Sequence, residues 1–85
     1  MRYFITGGAG FIGSALIRKL FLNEKNIILN YDKLTYSSNL NNLKIISKSK
    51  RYFFVQGDIN DEEKLFSSLN DFKPDIIMNL AAETH

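Results

Sequence analysis

Apolar and polar positions along this chain switch between two spacings. Short apolar runs of strand length alternate with stretches whose apolar residues recur every three to four positions. Tyr3-Phe4-Ile5 is the first run and predicts a strand at about residues 2–6. Ile12, Ala15, Leu16 and Leu20 then predict a helix over about residues 11–22, packed on a sheet. Ile27-Ile28-Leu29-Asn30-Tyr31 reads as a second strand, ended by Asp32. Lys33 to Ser38 is polar and irregular, and Asn39 is placed to cap a short helix through Leu43 to Ile46. Tyr52-Phe53-Phe54-Val55 is the third strand. Asn60 is placed to cap a further helix, with Asp61, Glu62 and Glu63 in the first turn, where the helix dipole favours negative charge. Leu65, Phe66 and Leu69 form its expected buried stripe. Pro74 blocks helical continuation, and Asp75 to Leu80 is the fourth strand.

Apolar strands alternating with helices predict an α/β fold: a parallel sheet with helices on both faces. Right-handed crossovers then give the strand order 3-2-1-4 of a Rossmann-type sheet. Ligands bind such sheets at the carboxyl ends of the strands. Polar or small residues stand at those ends here: Thr6 to Gly10, Asp32 to Thr35, Gly57-Asp58 and Ala81 to Thr84. Four separate segments are thereby expected to converge on one crevice.

The chemistry of that crevice begins with glycine. Four of the five glycines fall within Gly7-Gly8-Ala9-Gly10-Phe11-Ile12-Gly13, between the first strand and the first helix. Gly7, Gly10 and Gly13 fit G-x-x-G-x-x-G, and Gly8, Gly10 and Gly13 fit the dinucleotide fingerprint G-x-G-x-x-G. Unpaired N–H groups and partial positive charge at a helix start make a phosphate cradle, and side chains at the turn would hold a pyrophosphate away. A dinucleotide site also needs a carboxylate about 20 residues on, at the end of the next strand. Asp32 supplies it and would accept from the two ribose hydroxyls. It would repel a 2′-phosphate, which favours NAD over NADP; its alternative role is to cap the following turn. Asp58 could accept from the adenine amine while Ile59 packs on the ring, or it could cap a helix. Ala81 and Ala82 are small enough for the backbone to pass close to the middle of a cofactor.

Composition narrows the picture. The chain of 85 residues is 45% hydrophobic, a globular rather than a disordered balance, and is one small domain at most. It has no cysteine, so no disulfide framework and no thiolate metal site is expected. Net charge is +2, and the basic cluster Lys44, Lys48, Lys50 and Arg51 lacks interleaved aromatics. A solvated connection is expected there, not a nucleic-acid surface. The first strand begins at residue 2 or 3 and no apolar run approaches membrane-spanning length, so the expectation is a cytoplasmic protein with no membrane partner.

Thr6-Gly7-Gly8-Ala9-Gly10-Phe11-Ile12-Gly13 resembles the cofactor loop of the extended short-chain dehydrogenase/reductase superfamily, which includes nucleotide-sugar epimerases, dehydratases and decarboxylases. Asp32-Lys33-Leu34-Thr35-Tyr36, then Asn39-Leu40, is similar more narrowly to the dTDP-glucose 4,6-dehydratase family. Arg51-Tyr52-Phe53, Gly57-Asp58-Ile59, Pro74-Asp75 and Leu80-Ala81-Ala82-Glu83-Thr84-His85 match that family in order and spacing. The resemblance implies NAD as cofactor and roles for particular residues. Gly7, Gly10 and Gly13 would shape the pyrophosphate turn, with main-chain contacts from Phe11 and Ile12. Asp32 would hold the ribose, with Lys33, Leu34 and Thr35 beside the adenosine half; Lys33 could equally be a solvated lysine. Asp58 and Ile59 would flank adenine. Leu80, Ala81, Ala82, Glu83 and Thr84 would line the path toward nicotinamide, with Thr84 also near the sugar.

The same resemblance implies a nucleotide-sugar substrate, dTDP-glucose, and a homodimer for the full-length family. Its catalytic Tyr-x-x-x-Lys pair has no counterpart here: none of Tyr3, Tyr31, Tyr36 or Tyr52 is followed by Lys at the fourth position. His85, the only histidine, has no visible acid–base partner. The expectation is the N-terminal part of an NAD-binding domain, catalytically incomplete alone, with an apolar edge along Ile76 to Leu80. The readings left open are another NAD-dependent epimerase or decarboxylase, or a non-catalytic NAD-binding remnant.

Overall fold

The four apolar runs form one parallel sheet in the order β3-β2-β1-β4. The computed structural model describes residues 1–34 and 40–80. Its elements are β1 (Arg2–Thr6), α1 (Phe11–Phe21), β2 (Ile27–Asp32), a 3-10 helix (Leu40–Ile46), β3 (Tyr52–Gln56), α2 (Glu62–Phe72) and β4 (Ile76–Asn79). Thr6 pairs with Tyr31 on one side and with Asn79 on the other, and Asp32 pairs with Gln56. The carboxyl ends of all four strands therefore lie along one margin.

Side-chain alternation divides the core into two layers. On one face, Ile5, Ile28 and Tyr52 from the sheet meet Ile17 of α1 and Leu43 and Ile46 of the 3-10 helix. On the other, Phe4, Leu29 and Tyr31 meet Phe72 of α2, with Leu65 and Leu69 beside them. In β2, Ile28 belongs to the α1 layer and Leu29 and Tyr31 to the α2 layer. Asn30 and Asp32 follow Ile28 at intervals of two, which turns them toward α1 and the glycine bend.

Several expected details shift. Asn60 does not cap α2. Its N–H donates to Asp58 Oδ1 at 2.9 Å, which draws it into a turn, and Asp61 becomes the cap by accepting from the Lys64 N–H at 3.2 Å. Phe66 is 61% exposed. Leu65, Leu69 and Phe72 recur at i, i+4 and i+7 and face the sheet, so Phe66, one position round, faces outward. Ile12 and Ala15 are also exposed, because α1 approaches the sheet through buried Gly13, Ser14 and Ile17. The expected helix before Ile46 is a 3-10 helix, and Asn39 lies outside the described residues.

Arg51 is not part of a solvated connection. Its guanidinium donates to the carbonyls of Phe21, Asn23 and Asn26 at 3.0–3.3 Å and lies 3.9 Å above the Phe21 ring. It satisfies carbonyls left over where α1 ends, where the dipole favours a cation. Arg2 plays the same part at the end of α2, donating to the Phe72 carbonyl at 2.9 Å and stacking 4.2 Å from its ring. At the sheet margin β4 pairs with β1 alone among the described residues, and Ile77 is 59% exposed. No helix among the described residues is long and apolar enough to cross a membrane.

Candidate functional site

The bend between β1 and α1 is tied down by its own amides. Gly7 N–H donates to the Tyr31 carbonyl at 3.0 Å and Gly10 N–H to the Gly7 carbonyl at 3.3 Å. Gly8 N–H donates to Asn30 Oδ1 at 2.9 Å, and Ala9 N–H to Asp32 Oδ2 at 2.8 Å. Gly7 adopts φ 76°, a left-handed conformation that a side chain would strain. A Cβ on Gly13 would collide with the Gly7 carbonyl oxygen and come within 2.8 Å of Gly8 Cα, so the helix can lie this close only without one.

The donors left for a ligand belong to the helix rather than to the bend. Gly10 is the helix cap and offers no side-chain acceptor; the first intrahelical bond runs from Ser14 N–H to the Gly10 carbonyl at 2.9 Å. The N–H groups of Phe11, Ile12 and Gly13 thus have no partner among the described residues. Their side chains do not obstruct them: those of Phe11 and Ile12 turn out to solvent, 84% and 73% exposed. A Cβ on Gly10 would meet only the Gly7 carbonyl oxygen, at 3.5 Å, so the space above the helix start is open.

Asp32 faces this bend. It is buried, with Oδ2 on the Ala9 N–H and Oδ1 on the Leu34 N–H at 2.7 Å. The turn-capping role and the proximity to the glycine bend are both realised. A carboxylate offers about four acceptor sites, so these two N–H groups do not by themselves fill it. Leu34, which follows, has φ 60°. The third corner belongs to Asp58. Its Oδ1 accepts from Asn60 and its Oδ2 lies 3.2 Å from Lys33 Nζ. The Asn60 N–H, and after it Lys33, hold the Asp58 carboxyl below the usual aspartate value. Tyr31 donates from its hydroxyl to the Asp58 carbonyl at 3.0 Å. Burial, then the charges of Asp61 and Asp58, raise the Tyr31 pKa.

The structure thus brings Gly7, Gly10, Phe11, Ile12, Gly13, Asp32, Lys33, Leu34, Asp58 and Ile59 to one margin of the sheet. Leu80 joins them through its N–H on the Thr6 carbonyl at 2.8 Å. The expectations at Thr35, Ala81, Ala82, Glu83 and Thr84 fall outside the described residues. A cavity of about 320 Å³ lined by Leu29, Phe53, Val55 and Phe72 lies on the α2 face, away from the bend. No cluster of metal-ligating side chains occurs among the described residues.

Sequence reasoning missed two participants, Asn30 and Tyr52, and the partner of a third residue that it did name. Lys33 is ion-paired with Asp58 rather than simply solvated or simply beside a ligand. Asn30, fully buried, holds Gly8, and its Nδ2 donates to the Tyr52 hydroxyl at 3.2 Å. Burial raises the Tyr52 pKa, opposed by the Asn30 amide and reinforced by the charge of Asp32. The available signal was a lone amide inside the apolar run Ile27 to Tyr31, since a buried amide must find partners.

Comparison with known proteins agrees with this geometry. The profile of the family described as GDP-mannose 4,6 dehydratase matches residues 4–85. The chain is 47% identical to a dTDP-glucose 4,6-dehydratase of Salmonella typhimurium, over 100% of this chain and 24% of that protein. It is similar to the crystal structure of a dTDP-glucose 4,6-dehydratase from Bacillus anthracis in complex with NAD, with a TM-score of 0.94 and 43% identity over 98% of this chain and 27% of that one. The corresponding enzyme from Streptomyces venezuelae, also with NAD bound, superposes with a TM-score of 0.88 at 39% identity, over 100% of this chain and 27% of that one. The chain spans about a quarter of the length of the curated relatives it matches.

Proposed function

This chain belongs to the GDP-mannose 4,6 dehydratase family, and we propose that it is the N-terminal part of the NAD-binding domain of a dTDP-glucose 4,6-dehydratase. The observation that carries this reading is one juxtaposition. The bare N–H groups of Phe11, Ile12 and Gly13 open above the same bend whose Ala9 N–H is held by Asp32. A diphosphate on the helix start would place its attached ribose toward that carboxylate. The open space beside Gly10 fits such a group, and a carboxylate at the end of the second strand fits the hydroxyls of a ribose.

In this reading the residues bind and orient. Phe11, Ile12 and Gly13 donate to the diphosphate oxygens, with the α1 dipole adding favourable charge. Asp32 accepts from the ribose hydroxyls and excludes a 2′-phosphate. Lys33 and Asp58 flank the adenine end together with Leu34, Thr35 and Ile59. Leu80 to Thr84 line the way to the nicotinamide end. NAD, when bound, supplies a hydride acceptor that can return the hydride it takes. The whole protein would use it to oxidise C4 of the glucose, release water across C5–C6 and reduce C6. Its acid and base groups come from outside residues 1–85, as does the sugar-nucleotide subdomain.

The test uses the protein expressed from its full reading frame. Supplied with dTDP-glucose deuterated at C4, it should release one water and move the deuterium to C6. A product that keeps the water and differs only in configuration would replace the dehydratase reading by an epimerase. Calorimetric titration should find NAD bound at least about tenfold more tightly than NADP, a gap of roughly 1.4 kcal/mol. Equal affinities would remove the role assigned to Asp32.

A further inference from the structure

The glycine bend is held from below by two buried side chains that no ligand would touch. Asn30 is fully buried and Tyr52 is 7% exposed; both lie in the layer under α1. Tyr52 starts β3, at the opposite end of the sheet from the bend, and pairs with Ile28 in the ladder. Its hydroxyl nevertheless reaches Asn30 Nδ2 at 3.2 Å, and Asn30 Oδ1 accepts from Gly8 N–H at 2.9 Å. A main-chain N–H can only donate, so Gly8 forces the amide oxygen toward itself. The amide nitrogen must then point the other way and find an acceptor in the interior, and the Tyr52 oxygen is that acceptor. The fit is close on the glycine side too, since a Cβ on Gly8 would collide with Asn30 Oδ1 and with Ile17 Cδ1.

We propose that Asn30 and Tyr52 are positioning residues: a buried relay that keeps the glycine bend in the shape that presents the α1 N–H groups to a diphosphate. This rests on the cofactor reading above and adds to it a support that acts from the core. Without the Tyr52 hydroxyl, the Asn30 nitrogen has no acceptor and the amide gains by swinging away from Gly8. The bend then loses one of its four ties, at the residue between Gly7 and Ala9. Displacement there passes directly to Gly10 and the start of α1. The ribose carboxylate is affected less, because Leu34 N–H still holds Asp32 Oδ1.

The experiment compares the full-length wild type with Tyr52→Phe and Asn30→Leu by two measurements. The first is hydrogen exchange of the Gly8 amide relative to the Ile28 amide in the core, a ratio that general destabilisation does not raise. The second is affinity for ADP and for adenosine, which share a ribose but only one of which carries a diphosphate. Both variants should raise the Gly8-to-Ile28 exchange ratio. Both should weaken ADP about tenfold, the equivalent of roughly 1.4 kcal/mol, and leave adenosine within about twofold. An unchanged exchange ratio, or equal loss of ADP and adenosine, would overturn the relay. A wild type that binds neither nucleotide would overturn the cofactor reading, and the exchange ratio would still decide whether these two side chains hold the bend.

Discussion

Gly10 and Gly13 stand three residues apart in the same motif, yet the structure gives them opposite reasons for being glycine. Consider alanine at each. At Gly13 the new Cβ would collide with the Gly7 carbonyl oxygen, stand 2.8 Å from Gly8 Cα and stand 3.1 Å from the Gly7 carbonyl carbon. Those are backbone atoms held in the sheet and the bend, so they cannot swing aside. Overpacking of this kind costs about 1–3 kcal/mol. The gain in helix propensity, about 0.8–1 kcal/mol, offsets part of it. Three backbone atoms this close put the cost near the upper end of that range, so Gly13→Ala should lose about 2 kcal/mol of stability. At Gly10 the backbone is extended, φ −73° and ψ 174°, and open to any residue, and the nearest atom to a Cβ is 3.5 Å away. The reduced freedom of the unfolded chain and the poorer helix cap nearly cancel, which leaves Gly10→Ala within about 0.5 kcal/mol of the wild type. Its methyl group instead occupies the space where a diphosphate would approach. Loss of one or two charge-assisted contacts, each about 1.5–3 kcal/mol, weakens NAD by at least about tenfold. Urea denaturation and calorimetric titration of both variants separate the two effects. The reasoning fails if Gly10→Ala binds NAD as the wild type does, or if it costs as much stability as Gly13→Ala.

Arg51→Ala removes three carbonyl partners and the stacking on Phe21, and should lower stability by about 1–3 kcal/mol; Arg51→Lys should recover less than half, since an ammonium cannot span the three carbonyls. Lys73 closes α2 with φ 53°, so Lys73→Gly should raise the urea midpoint, by about 0.5–1 kcal/mol in stability, because only the lysine is strained there. Asp58 has its folded pKa held below the ordinary 3.8; the stability it contributes is complete above that value and is lost as pH falls through the lower folded one. Asp58→Asn should flatten the acid limb of a pH series of urea midpoints. Tyr31 and Tyr52 have folded pKa values raised above 10.0, so the stability they contribute is intact below pH 10 and declines as pH rises through those values. Tyr52→Phe should shrink that alkaline decline, and an unchanged slope between pH 9 and 11 would count against it.

Much of the fold was legible because its determinants are local and periodic. The four strands announce themselves as apolar runs, and parallel order follows from their alternation with helices. Errors arose where a tertiary contact decided between equal local choices. Asn60 and Asp61 are both good caps, and the Asp58 carboxylate settled the matter by binding the Asn60 N–H. Ile12 and Phe66 look like packing residues, but the close approach of Gly13 to Gly7 and the line of Leu65, Leu69 and Phe72 turn them outward. Arg51 looks like one more solvated charge until the folded chain brings the end of α1 against it. Its partners lie 25 to 30 residues away, beyond any local pattern.

The site shows a subtler version of the same limit. A glycine fingerprint suggests that the bend itself cradles phosphate. Here the four N–H groups from Gly7 to Gly10 are all bonded within the protein, two of them to the side chains of Asn30 and Asp32. What the bend contributes is shape; the donors without a partner among the described residues are the next three, at the start of α1. Asn30 and Asp32 can serve it because alternate residues of β2 share a face, and that face is the one α1 covers. The polar pair at the end of an apolar strand is thus part of the same device as the glycines. One member of that pair holds Ala9 and Leu34 at the carboxyl margin of the sheet, and the other is anchored in the core through Tyr52.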